Sequence, residues 1–199
     1  MFPLGNPLLP GTRLPLHVFE PRYRALVDDC LAGSAEFGVV LIERGSEVGG
    51  GDARFDVGTL ARIEECHRFD DGRYAVLALG VERIRVEAWR PDAPYPNAVV
   101  RVLAEPRPGP ESAEPRRELA DAWDRVCGLA SALGLRIEEE PLPTDPVEAA
   151  WFVAARAISG PLDAHRVLAA DDLDVRFATL LDAVAGTELL LRHRLGGDR

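Results

Sequence analysis

Lysine is absent from this chain: all 23 basic residues are arginine. No Walker-type lysine can therefore reach a phosphate, no lysine can form a Schiff base, and no Ser–Lys dyad can exist. Cysteine is scarce. Cys30, Cys66 and Cys127 lie far apart with no CxxC spacing, which excludes the usual zinc and dithiol arrangements. Cys30 and Cys127 fall on predicted apolar helix faces and read as small buried hydrophobes. No apolar run approaches membrane-spanning length, and Met1-Phe2-Pro3-Leu4-Gly5 carries no charged leader, so a cytoplasmic protein without a membrane partner is expected. Positive charge is also short. The net charge is −10. Residues 1–105 hold 12 arginines against 16 acids, and residues 106–199 hold 11 against 17. Neither half carries the positive field that phosphate-driven binding requires, so nucleic acid is not an expected partner. No spacing calls for a metal or a cofactor.

What is present is a core-forming composition: 199 residues, 47% hydrophobic and 28% charged, enough for one large or two small domains. Leu14, Leu16 and Val18 alternate as a half-buried strand does. Pro21 then suits a first helical turn. Tyr23, Leu26, Val27, Cys30 and Leu31 fall on one helical face, with Gly33 offering a left-handed stop. Strands are expected at Phe37–Ile42, Val57–Ile63, Arg73–Leu79, Val81–Trp89 and Ala98–Leu103. In Val81–Trp89, strict alternation places Ile84, Val86 and Ala88 inward and Arg83, Arg85 and Glu87 outward. Asp70-Asp71-Gly72 is a hairpin signal, and Gly80 is expected to separate two strands. Short strands with turns between them suggest a small barrel or curled sheet.

Glu105–Glu114 holds three prolines and a glycine and reads as a linker. The expected organisation is a β-rich domain over 1–105, a linker over 106–114 and helices over 115–199. Leu119, Trp123, Val126, Ala130 and Leu133 form one helical stripe. Asp145-Pro146-Val147-Glu148 reads as a capping box opening a helix through Trp151 to Ile158, stopped by Gly160. Two more helices follow, from about Pro161 to Ala169 and from about Asp174 to Arg194.

Few residues suggest chemistry. Cys66 and His67 are adjacent on a predicted strand, so they point to opposite faces and cannot form a dyad. His17, His165 and His193 read as isolated. Gly49-Gly50-Gly51 lacks the Lys-Ser/Thr of a phosphate loop, and Asp52 would repel a phosphate there; it reads as a hairpin loop. Glu138-Glu139-Glu140 reads as a solvated loop. Asp171-Asp172-Leu173-Asp174 reads as an N-cap for the last helix. Arg22 and Arg24 are expected in local ion pairs with Glu20, Asp28 or Asp29. Trp123 and Trp151 belong to apolar stripes, whereas Phe2, Trp89 and Tyr95 could pack or line a groove.

Several segments together resemble a known family. Phe2-Pro3-Leu4, Leu14-Pro15-Leu16 running on through Val18-Phe19-Glu20-Pro21-Arg22-Tyr23, Gly58-Thr59-Leu60-Ala61, Asp71-Gly72-Arg73, and Gly80-Val81 with Arg83 are similar to the N-terminal, substrate-binding domain of Lon proteases and to stand-alone bacterial versions of it. The resemblance is strong over residues 1–105 and weaker over the helices. It implies an α+β architecture: a β-rich, PUA-like pseudo-barrel followed by a helical bundle. It implies capture of unfolded or degron-bearing polypeptides, in a chain ending where the ATPase and protease domains of a full-length enzyme would begin. The signature residues Pro15, Phe19, Glu20, Pro21, Arg22, Tyr23, Gly58, Thr59, Gly72, Gly80 and Arg83 are expected to build the fold rather than to touch a client. The expected function is a non-catalytic polypeptide-binding module, an adaptor in protein quality control. Two alternatives stand beside it: a hydrolase using His and carboxylates, and an RNA-binding PUA-like protein.

Overall fold

The computed structural model describes residues 1–45, 51, 53–135 and 140–197. These form two compact units, Met1–Ala104 and Glu105–Arg199.

The first unit is a six-stranded mixed sheet with one helix. Its strands are β1 (Phe2–Leu4), β2 (Arg13–Val18), β3 (Glu36–Arg44), β4 (Ala53–Arg68), β5 (Tyr74–Arg90) and β6 (Asn97–Val102), and its helix is α1 (Pro21–Ala32). The order is β1-β3-β4-β5-β2, with β6 also on β5. β1 runs parallel to β3; every other pairing is antiparallel. The long β5 carries β2 along Tyr74–Leu79 and β6 along Ile84–Arg90. The sheet does not close: among the described residues β1, β2 and β6 each pair with a single neighbour.

The core lies between this sheet and α1. Phe2, Leu4, Leu8, Val18, Tyr23, Leu26, Val27, Phe37, Val39 and the inward row Tyr74-Val76-Ala78 of β5 form one cluster. The helix is tied down by two phenols: Tyr74 donates to Asp28, and Tyr95 donates to Asp29 at 2.6 Å. Pro21 occupies the first turn of α1, where no N–H is needed. The stop differs from expectation. Gly33 has φ −119, and the left-handed residue is Ala35 at φ 58. The chain leaves α1 through the Ala35 N–H bonding the Cys30 carbonyl at 2.8 Å.

Three expectations for β5 are corrected. Gly80 does not end a strand; β5 passes straight through it. A Cβ at Gly80 would lie 2.5 Å from the Leu9 carbonyl oxygen, so glycine is there because another stretch of main chain crosses it. Just beyond, Leu60 pairs with Glu82 and Ala61 with Gly80, which leaves Val81 as an extra, bulged residue. Beyond the bulge Ile84 and Val86 are buried as the alternation predicts, but the strand is covered on both faces at Arg83 and Ile84. Arg83, expected outward, is opposite the buried Thr59 and only 1% exposed. Ala88, expected inward, is exposed after a second shift between Val86 and Ala88.

The second unit is helical: α2 (Ala113–Ala132), α3 (Pro146–Ala157), α4 (Pro161–Ala169) and α5 (Leu173–Gly197). A short 3-10 turn at Pro110–Ser112 precedes α2, within the segment expected as linker. The α2 stripe buries Leu119, Trp123, Val126 and Ala130 as the periodicity predicts. Asp145 caps α3 by accepting from the Val147 and Glu148 N–H groups at 2.9 and 3.0 Å. Asp172 does the same for α5 with Asp174 and Val175. Helix α5 packs against α2, α3 and α4. Its Arg176 is fully buried, lies over the Trp151 ring at 4.2 Å and ion-pairs with Glu105 at 2.5 Å.

Candidate functional site

Most signature residues sit in the packing of the first unit. Glu20 is the N-cap position of α1; its carbonyl accepts from Tyr23 and Arg24, and its carboxylate pairs with Arg22 at 3.1 Å. Arg22 lies over the Tyr23 ring, and Tyr23 stacks on Phe2 with centroids 4.1 Å apart. A Cβ at Gly58 would lie 2.1 Å from the Val39 carbonyl oxygen. Thr59 donates to the buried Leu8 carbonyl at 2.5 Å. Gly72 is left-handed at φ 82 in the β4–β5 hairpin, with the Arg24 guanidinium beside it. The Arg83 side chain donates to the Ala104 carbonyl at 3.4 Å.

Pro15 and Phe19 stand apart. Pro15 is exposed on β2, and Phe19, just beyond the end of β2, is 53% exposed. Two concavities flank this strand. On the outer face of the sheet, an open depression of about 520 Å³ is lined by Pro15, His17, Glu65, His67, Ala75 and Leu77, among others. On the core side, a groove of about 190 Å³ is lined by Phe2 and Leu4 of β1, Leu16 and Val18 of β2, Phe19 and Tyr23, among others. Pro15, Leu16 and His17 line both. An outer strand thus runs between two largely apolar hollows.

The histidines are less scattered than the sequence suggests. Both His17 and His67 pair with Ala75, from the two sides of β5. Phe69 joins them, its ring centroid 6.0 Å from His17 and 4.8 Å from His67. The signal was available in the alternation of three strands, but it depends on a register that only the tertiary pairing sets. The Arg73 guanidinium lies 3.4 Å from His17 Nε2, which then acts as acceptor. Cys66 points to the opposite face, against the core, where burial pushes its thiol pKa up. His165 is buried in α4, and His193 is exposed on α5.

The other candidates carry no converging chemistry. Gly49, Gly50, Asp52, Glu138 and Glu139 lie outside the described residues; Glu140 pairs with Arg156 at 2.7 Å. Among the described residues, no group of three or more His, Cys, Asp or Glu is placed to hold a metal ion, and no helix is long and apolar enough to cross a membrane.

An open, curled mixed sheet closed off by one helix and followed by a helical bundle is the architecture of Lon N-terminal domains. Solved structures carry the likeness. The Lon N-terminal domain protein of Xanthomonas campestris aligns at a TM-score of 0.62 and 26% identity, covering 91% of this chain and 95% of that one. The N-terminal domain of Lon protease from the Mycobacterium avium complex shares the fold at a TM-score of 0.62 and 20% identity, covering 92% and 96%. Residues 1–186 match the family described as the ATP-dependent protease La (LON) substrate-binding domain, and the chain belongs to that family. Among curated proteins it is similar to the Lon protease of Flavobacterium johnsoniae, 29% identical over 155 residues, and to Lon protease 2 of Myxococcus xanthus, 33% identical over 102 residues. Those alignments take in 77% and 50% of this chain but only 18% and 12% of the relatives' own lengths. The family match is to the substrate-binding domain, not to an ATPase or protease domain.

Proposed function

We propose that this chain is a non-catalytic polypeptide-binding module that recognises exposed segments of unfolded or degron-bearing proteins and serves as an adaptor in protein quality control. The observation that carries the reading is the outer strand β2, open at one side of the sheet and flanked by two apolar hollows, in a chain of the LON substrate-binding family. A hydrolase is the weaker reading. The bonding partner of His17 is Arg73 rather than a carboxylate, and His67 rests on the Phe69 ring. An RNA-binding role is opposed by the net charge of −10.

Fluorescence anisotropy with a library of peptides drawn from unfolded proteins tests the proposal. Binding of apolar peptides at micromolar concentrations supports it. A natively folded chain that binds none of them removes its basis.

A further inference from the structure

Of the outer strands β1, β2 and β6, only β1 and β2 line the core-side groove, and these two are not equivalent. In β1, Pro3 has no N–H, which leaves that three-residue strand poorly suited to pairing. In β2 the direction of each main-chain group follows from its neighbours. The Thr12 carbonyl accepts from the Gly80 N–H at 2.9 Å, so Thr12 faces β5. Along an antiparallel strand successive residues face opposite sides. Leu14, Leu16 and Val18 therefore bond β5, while Arg13, Pro15 and His17 turn their main-chain groups outward. The placement of Pro15 agrees: its missing N–H falls on the open side, where a strand tolerates proline. The outward edge thus offers N–H and C=O at Arg13, C=O at Pro15, and N–H and C=O at His17. Among the described residues no strand pairs with that edge.

We propose that β2 captures an extended segment of a client polypeptide by strand addition, resting on the polypeptide-binding reading above. Client main chain pairs with Arg13 and His17 and bridges past Pro15. One client side chain enters the groove between β1 and β2, beneath Phe19. Only an extended chain presents donors and acceptors at this spacing; a helix has already satisfied its own. The charges agree with an uncharged, apolar segment. Both ends of the strip are flanked by ion pairs compensated among themselves: Arg13–Glu64 at 2.8 Å, Glu20–Arg22 at 3.1 Å and Arg73–Asp71 at 2.7 Å. The groove of about 190 Å³, walled by Phe2, Leu4, Leu16 and Val18, then selects for one apolar client side chain.

The test is a fluorescein-labelled peptide of about ten residues, alternating Leu or Val with Ser or Thr, together with a series carrying one N-methyl group at each position in turn. The full chain is titrated with each. Strand addition predicts a period of two: methylation at alternate positions weakens binding roughly three- to tenfold, as losing one hydrogen bond does, and the intervening positions are unchanged. His17→Pro, which removes an outward N–H with no partner strand, weakens the unmethylated peptide by a similar factor. Binding that is insensitive to N-methylation, or equally sensitive throughout, overturns strand addition and leaves the binding module standing. Absence of binding to every peptide by a chain with native circular dichroism overturns the module itself. A concentration-dependent dimer that His17→Pro dissociates, with no peptide bound, shows the edge to serve self-association and overturns the proposal.

Discussion

The carbonyl of Thr12 and the N–H of Gly80 meet at 2.9 Å, and this one bond sets the phase of β2. It turns the apolar row Leu14-Leu16-Val18 into the ladder with β5 and leaves Arg13, Pro15 and His17 facing out. The same glycine lies against the Leu9 carbonyl, and Gly11 donates back to the Gly80 carbonyl at 2.8 Å. The segment leading into β2 is therefore clamped to the middle of β5.

Gly58→Ala tests the close approach of β3 and β4. The new Cβ would sit 2.1 Å from the Val39 carbonyl oxygen, and main chain cannot yield as a flexible side chain does. A loss of about 3 kcal/mol is expected from overpacking of this kind, read as a shift of the midpoint in urea. A change within experimental error would contradict the packing described for Gly58.

Arg176→Ala tests the second unit. Arg176 is fully buried, paired with Glu105 and stacked on Trp151. Its loss empties a packed place beside Trp151, while Glu105, 36% exposed, is left to water, so a cost of about 3 kcal/mol is expected. The helical unit should lose thermal stability by that order, and Arg176→Lys should not restore it, because an ammonium lacks the planar face that covers the indole.

Stability at high pH should report the clamp on α1. Tyr95 is held as a neutral phenol by its hydrogen bond to Asp29, then by burial, and its pKa is pushed up to about 12; Tyr74 is raised in the same sense by Asp28. Below pH 10 both folded and unfolded chains keep the proton, so the contribution is complete. Above it the unfolded chain loses the proton first, and the stabilisation from Tyr95 is lost as pH climbs from 10 to about 12. Urea denaturation across that window should show falling stability, with a shallower fall in Tyr95→Phe. A slope unchanged by the substitution would show that the Tyr95–Asp29 bond does not form in solution.

Local signals were legible in the sequence where local physics decides them. Pro21 after an alternating strand marked the start of α1, Asp145 and Asp172 announced their caps, and Gly72 its hairpin turn. Gly80 was misread as a strand break because glycine so often is one, whereas here it admits the Leu9 main chain. Arg83 was misplaced because strict alternation assumes one solvated face, whereas β5 is buried on both faces at Arg83 and Ile84. His17 looked isolated because His67 is 50 residues away in sequence, and the two meet only through their shared partner Ala75. The open edge of β2 was invisible for the same reason: a strand is an edge only by virtue of where the others pair. Pro15, Phe19 and Pro21, expected only to build the fold, are the signature residues that the fold leaves at the surface, and the first two line the hollows beside β2.

Amide hydrogen exchange on the chain with and without a bound apolar peptide tests the central claim most directly. The account predicts that the Arg13 and His17 amides, which no strand covers among the described residues, become protected when peptide binds, while Leu14, Leu16 and Val18, already bonded to β5, change little. Protection confined to other surfaces, with Arg13 and His17 exchanging as before, would contradict it.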